Sequence, residues 1–398
     1  MSSSTQSIVF LSAMRCHQFE VAAELELRGV NCKVITAFPH WKLKSERISK
    51  NRIKTFPWVL VPKLAIGRYV HLPESLMMPI EVLHHRSLDR FAAKQIEGCS
   101  VLESLSSFNY TVGQRVQKNG GKFIVHRGSA HVKYQYQLLH DEFVRWGLKP
   151  LSKPQFFIEQ ECFEYETSDL INVPSQYVKN TFIAEGVDPK KIVMMPYSAE
   201  PSKFYSVATP NPDEFNVIFV GQISLRKGIP YLLQAFAKLK HPKKKLWLVG
   251  QMMPDVKQIL STLPTENVLF LGRKSHSELR EFMSSAHAFV LPSIDDGFGR
   301  VLTEALACSC PVICSENTGA FGFIAHGKEG FVVPIRSPEN ITQSLQQLAD
   351  DKQLLETMRH NALQKIQIMR GWGAYTEEFL ALCNQLTTNN KQELSHGN

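Results

Sequence analysis

The chain has 398 residues, 43% hydrophobic and 21% charged, a balance that fits a soluble globular protein of two ordinary domains. No apolar run approaches the ~20 residues that cross a bilayer, and the opening SIVFLSAM lacks the length and basic flank of a signal-peptide core, so it reads as a first strand and argues against export. The net charge of +8 is one-sided: residues 1–150 carry 21 Lys and Arg against 11 Asp and Glu, the remainder 24 against 26.

A basic first half beside a near-neutral second half points to an anionic partner for the first half alone. Its cations stand singly, with no aromatic ladder and no nucleic-acid-binding motif, so nucleic acid is not expected. An anionic membrane surface or a phosphorylated acceptor fits the charge instead. The eight cysteines are scattered apart from Cys308, Cys310 and Cys314, which lack a second ligand pair at zinc spacing. They read as small buried hydrophobes in a reducing compartment.

In chain order, short β-branched runs alternate with amphipathic segments. SIVFLS precedes HQFEVAAELELRG, whose Phe19, Ala22, Leu25 and Leu27 approximate a helical stripe ended by Gly29, and VNCKVITAF follows as a second strand. Residues 40–95 are less regular, rich in Pro, His and aromatics. Alternation resumes with GCSVLESLS, the helical YTVGQRVQKNGG and the strand KFIVHRG. A long segment then leads to the strand DLINVPS, the short helix QYVKNTFIAEG and KIVMMPYS. The Pro-rich, aperiodic residues 199–215 read as a linker between a domain over 1–198 and one over 216–370. The second set runs from NVIFVGQIS to GFVVPI and closes with helices, of which residues 371–388 form the last. Such alternation predicts parallel sheets covered on both faces, hence two doubly wound α/β domains facing a cleft, with ligands at the carboxyl ends of the strands.

Two stretches carry chemistry. In VGQISLRKG a strand ends at Gly221, and Gln222, Arg226 and Lys227 lead through Gly228 into a helix, where cations suit an anion such as a diphosphate. In DDGFGRVLTEA, Gly297 and Gly299 admit close backbone approach, Asp296 can accept from sugar hydroxyls, and Glu304 sits in an otherwise apolar helix where a carboxylate needs a partner.

These residues resemble the donor-binding domain of the retaining GT-B glycosyltransferases, glycosyltransferase family 4. The likeness runs from about Asn216 to Leu348 through the Lys-Gly phosphate loop, NVLFLGRKSHSELREFMSSAHAFVLPS, the two-acid motif, ALACSCPVI and HGKEGFVVP. The first half matches more loosely, best at EYETSDLINVPSQYVKNTFIAEGVDPKKIVMMPYS, and the final GWGAYTEEFLALCNQL is similar to a helix that returns to the first domain. The resemblance implies that Lys227 neutralises a donor diphosphate, that Glu304 holds ribose hydroxyls, and that Asp296, with the amides of Gly297, Phe298 and Gly299, contacts the transferred sugar. Leu302 and Thr303 are carried with that motif, and Arg273 lies where the family positions the base. His126 and His131, in FIVHRGSAH, are alternatives for the histidine beside the reacting carbon.

The chain departs from the family at several points. Gln222 replaces the usual arginine, with Arg226 able to restore the charge, and Asp296 replaces a glutamate. A glutamate usual near Gly322 is missing from TGAFGFI, and SAMRCHQFE stands where a glycine-rich loop is expected, with Arg15 and His17 as acceptor contacts. The implied activity is transfer of a hexose-type sugar from a nucleotide diphosphate donor to a saccharide or lipid-linked acceptor hydroxyl with retention, in polysaccharide or glycolipid synthesis. No Asp-x-Asp triplet occurs, so no metal or other cofactor is expected. The implied location is cytoplasmic, peripheral at the inner face of the membrane. A non-catalytic GT-B protein that binds nucleotide or supports a partner enzyme, favoured by Gln222 and Asp296, and an epimerase or phosphorylase of the same layout are the alternatives.

Overall fold

The computed structural model describes residues 6–69, 73–150, 155–197, 203–319, 322–369 and 371–395. The first half contains strands β1 (Ser7–Ser12), β2 (Asn31–Thr36), β3 (Ile53–Thr55), β4 (Val101–Leu105), β5 (Lys122–His126), β6 (Leu170–Val173) and β7 (Ile192–Met194). Helices α1 (Gln18–Leu27), α2 (Leu60–Tyr69), α3 (Glu74–Ala93), α4 (Val112–Lys118), α5 (Val132–Arg145), α6 (Gln155–Thr167) and α7 (Gln176–Ala184) connect them. The second half contains β8 (Phe215–Val220), β9 (Lys244–Val249), β10 (Val268–Gly272), β11 (Ala288–Leu291), β12 (Val312–Ser315) and β13 (Gly330–Val333). Its helices are α8 (Ile229–Lys238), α9 (Pro254–Ile259), α10 (His276–Ser285), α11 (Arg300–Ala307), α12 (Pro338–Asp350), α13 (Lys352–Ile368) and α14 (Trp372–Ser395).

These strands form two sheets, ordered β3-β2-β1-β4-β5-β6-β7 and β10-β9-β8-β11-β12-β13. Every strand pairing is parallel. The central strands are buried on both faces, as in β1, β11 and β12, because helices cover both sides of each sheet and leave no position for a polar alternation. Chain order reverses between β1 and β4 in one sheet and between β8 and β11 in the other. At such a point the loops diverge and open a crevice at the carboxyl edge. This is the expected pair of doubly wound domains.

Residues 40–95 hold more order than the sequence suggests, since α2 and the 20-residue α3 lie there. The buried stripe of α3 is His84, Leu88, Asp89, Ala92 and Ala93, and a stripe that includes a histidine and an aspartate, downstream of Pro79 within the helix, gives a weak apolar period. Of the expected linker, residues 199–202 lie outside the described residues. Phe204 is buried in the core of the second domain, and β8 begins at Phe215. The last helix, α14, packs on α1, burying Trp372, Tyr375, Phe379 and Cys383 against Phe10, Phe19 and Leu25 of the first domain.

Helix α5 joins the two halves. Leu139 and Phe143 enter the core of the second domain, and the fully buried Glu142 accepts from Tyr231 Oη at 2.7 Å, Trp146 Nε1 at 2.9 Å and Arg336 Nε at 2.6 Å. A carboxylate with no solvent is tolerable only when its lone pairs are filled in this way. Removing it strands a guanidinium, a phenol and an indole. Glu142→Ala is therefore expected to lower the unfolding free energy by about 3 kcal/mol, read from guanidinium denaturation; a loss below about 1 kcal/mol would contradict the role.

Candidate functional site

The loops after β8 and β11 meet at the reversal point of the second sheet. Lys227 Nζ forms an ion pair with Asp296 Oδ2, Ile294 N donates to Arg226 O at 2.9 Å, and Arg226 Nη1 donates to Asp295 O at 2.9 Å. Gly228 has φ +68°, and a Cβ there would stand 1.9 Å from Pro292 O, so only glycine lets the lysine turn lie on the strand-end loop. Asp296 Oδ1 also accepts from Gly299 N at 3.2 Å, which closes the turn into α11. Burial pulls the Lys227 ammonium below its usual pKa, against the opposing pull of Asp296. An anion placed at the lysine therefore meets a cation largely stripped of water.

The same turn is held by the first domain. Asp295, adjacent to the acid singled out in the sequence, is fully buried and accepts from Gln135 Nε2 at 2.5 Å and Tyr177 Oη at 2.9 Å. Ser175 Oγ donates to Gly297 O at 2.6 Å. A Cβ at Gly297 would stand 1.9 Å from Gly128 O, so the two backbones touch where any side chain would part them. Phe298 is buried, 5.2 Å from the Tyr197 ring.

Beside the turn lies a pocket of ≈ 400 Å³ whose walls come from both halves. The second domain gives Arg300, Thr303 and Glu304 from the first two turns of α11, with His276 from α10. The first domain gives Arg15, Cys16, His17, Glu20 and Glu46. The step from Arg300 to Thr303 and Glu304 is i, i+3, i+4, which places all three on one helix face. Leu302, the residue between, is buried in the core. Glu304 is half-buried at the pocket wall. Arg15 is ion-paired with Glu46. Arg273 and Gln222 are exposed at the strand ends of the same sheet, and Arg273 Nη2 donates to Gln251.

The two histidines separate. His131 caps α5, its Nδ1 accepting from Lys133 N at 3.3 Å, and packs against Tyr165 and Phe182 inside the first domain. His126, at the end of β5, is fully buried: Nε2 lies 2.6 Å from Tyr197 Oη and Nδ1 lies 3.4 Å from Glu103 Oε1. His17 packs against it, ring centroids 4.5 Å apart and planes tilted by 45°, and burial followed by the neighbouring His126 and Arg300 holds its imidazole well below the usual pKa. The backbone between the histidines, at Gly128, is what reaches the acid turn.

Among the described residues, two groups stand close enough to share an ion, His17–Glu103–His126 and Glu81–His84–His85. Glu103 accepts from Asn172 and Gln18, and Glu81 from Lys63. Sequence reasoning missed Arg300, Asp295, Gln135, Tyr177 and Tyr197. For Arg300 a signal existed in its helical step to Glu304; the others are defined by contacts across the seam.

Residues 203–365 match the family described as Glycosyl transferases group 1. The chain is 31% identical over 161 residues to the capsular polysaccharide biosynthesis glycosyltransferase CapM of Staphylococcus aureus, covering 39% of this chain and 42% of that protein. It spans about half the length of the curated relatives it matches. Over 96% of its length the fold resembles sucrose-phosphate synthase from Thermosynechococcus elongatus, at TM-score 0.72, 21% identity and 100% of that chain. Anabaena Alr3699/HepE in complex with UDP and glucose gives TM-score 0.68 at 14% identity, covering 96% of this chain and 100% of that one. The fold is GT-B.

The Asp296 carboxylate and any added anion compete for Lys227. Asp296→Asn is expected to tighten binding of inorganic diphosphate by about threefold, measured by calorimetric titration. Unchanged or weaker binding would show that the lysine does not face the anion.

Proposed function

Taking as premise the match to glycosyl transferases group 1 in a chain of two Rossmann-like domains, we propose that the chain is a retaining glycosyltransferase. It moves a hexose-type sugar from a nucleotide diphosphate donor to an acceptor hydroxyl. The observation that carries this reading is the pairing of the Lys227 turn with the Asp296–Gly299 turn, directly before the Arg300–Glu304 helix face that lines an interdomain pocket. A donor has three demands in a row, charge neutralisation at the diphosphate, a grip on the ribose, and contacts to sugar hydroxyls. Lys227 with Arg226, Glu304, and Asp296 with the following amides meet them in that order.

The difficulty in the reaction is the departing diphosphate, which gains charge while the sugar becomes oxocarbenium-like. Lys227, sequestered from water, and Arg226 stabilise the leaving group with fixed charge, so transfer proceeds without a metal. As the donor enters, Lys227 exchanges Asp296 for phosphate oxygen and the freed carboxylate turns to the sugar hydroxyls. Arg273, Gln222 and Gln251 border the position of the base. The seam through Asp295, Ser175 and Gly297 keeps bulk water from the anomeric carbon.

On the acceptor side Arg15 and the basic first domain favour an anionic or lipid-linked saccharide, and a cytoplasmic protein peripheral to the membrane. A pocket of ≈ 510 Å³ in the first domain presents Arg86 and Arg90 beside Tyr110, Phe156 and Phe163, a suitable surface for such a molecule. No helix of the described residues is long and apolar enough to cross a membrane. A second reading, nucleotide binding without transfer, draws on the Lys227–Asp296 pair and on Gln222.

Incubation with a panel of nucleotide sugars and acceptors, reading nucleotide release and the product anomer, tests the proposal. Turnover is expected to survive a chelator and to fall at least about 100-fold in Lys227→Ala, with the thermal unfolding midpoint unchanged. Strict dependence on a divalent metal, inversion at the anomeric carbon, or binding without release would each contradict it.

A further inference from the structure

The family resemblance implies His126 or His131 beside the reacting carbon, but neither imidazole is exposed to a ligand there: both are buried inside the first domain. His126 is fully buried. Its Nε2 is taken by the Tyr197 hydroxyl at 2.6 Å, and its Nδ1 turns to Glu103. Behind it the strand register explains the order. Leu105 pairs with His126 and His126 with Asn172, so Glu103, His126 and Asn172 share one face at the carboxyl edge of β4, β5 and β6. Asn172 Nδ2 donates to Glu103 Oε1 at 2.8 Å and Gln18 Nε2 to Oε2 at 3.3 Å, which fixes the carboxylate. Helix α14 closes the rear, with Tyr375 Oη 3.3 Å from Asn172 and Trp372 over His17.

In front of this chain stands Tyr197, half-buried, its ring 4.6 Å from His17 and 5.2 Å from Phe298 of the acid turn. A Cβ at Gly128 would lie 2.9 Å from the Tyr197 hydroxyl, and Gly128 is the residue on which Gly297 rests. The phenol thus occupies the space that a side chain at 128 would fill, at the contact between the two domains.

We infer that Tyr197, in place of a histidine, presents the polar atom that faces the transferred sugar, with His126 and Glu103 as positioning residues behind it. This rests on the glycosyltransferase reading. The phenol donates a hydrogen bond to His126 Nε2, which leaves the ring proton on Nδ1, 3.4 Å from Glu103 Oε1. Its oxygen then turns its lone pairs outward, polarised by the imidazole and carboxylate. It accepts from a sugar hydroxyl and lies with its negative end toward the positive charge that develops as the diphosphate leaves. No proton changes owner in this arrangement. Burial raises the Tyr197 pKa, so the phenol stays protonated and acts as a dipole. The 3.4 Å between Nδ1 and Glu103 is longer than a formed hydrogen bond, and such contacts commonly tighten when substrate is bound.

Tyr197→Phe keeps the ring against His17 and Phe298 and removes only the hydroxyl. With the donor that the wild-type chain turns over, kcat is expected to fall about tenfold or more. Affinity for the nucleoside diphosphate and the unfolding midpoint should stay at wild-type values. Glu103→Gln should lower kcat less, and imidazole nitrogen NMR should show His126 as the Nδ1–H tautomer in wild type and a shifted Nε2 resonance in Tyr197→Phe. Wild-type kcat in Tyr197→Phe, or a fall matched by loss of stability, overturns the inference. If the wild-type chain releases nucleotide from no donor, the functional reading fails, and the NMR decides the relay by itself: a His126 populating both tautomers and unmoved by Tyr197→Phe refutes it.

Discussion

A fully buried carboxylate needs every lone pair filled, and Asp295 meets that demand across the domain boundary. Gln135 and Tyr177 reach it from the first domain, and Arg226 approaches from the second at 3.9 Å. Satisfying Asp295 draws its neighbours into place. Gly297 settles on Gly128, Asp296 turns to Lys227, and α11 starts so that Arg300, Thr303 and Glu304 face the pocket. The seam is built twice, since Glu142 on α5 performs the same service for Tyr231 and Arg336. Removing either carboxylate from its partners would leave uncompensated polar groups in a dry interface, so the two halves are held in one relative orientation by desolvation cost rather than by apolar area alone.

The topology turns that seam into a site. Each sheet reverses order once, and the loops following β8 and β11 leave the second sheet at its reversal. The segment after β1, carrying Arg15 and His17, leaves the first sheet at its own reversal and lines the same pocket. The pocket takes walls from both domains. The last helix takes part as well: α14 supplies Trp372 and Tyr375 to the polar cluster behind His126, so the C-terminal segment supports the first domain's contribution to the site.

Much of this was legible in the residues. Short β-branched runs alternating with amphipathic segments announced parallel sheets, and Lys227-Gly228 and Asp296-Gly-Phe-Gly announced the two turns. What escaped has a physical reason in each case. Helix α3 buries His84 and Asp89 along with Leu88 and Ala92, so its apolar period is diluted. Asp295 was not singled out in the sequence because the residues that bury it, Gln135 and Tyr177, lie 160 and 118 positions away. His126 was visible as a strand-end histidine, but its capping by Tyr197, 71 positions on, is a tertiary fact. Sequence spacing resolves what one element does to its own side chains; it does not resolve which partner a second domain sends to meet them.

The central claim is that the two turns grip one nucleotide sugar between them. A crystal structure of the chain soaked with a nucleoside diphosphate tests it most directly. The account predicts the diphosphate against Lys227 and Arg226, the ribose at Glu304, and Asp296 swung off the lysine. A nucleotide bound elsewhere on the surface, or one bound with the Lys227–Asp296 pair still intact, would contradict it.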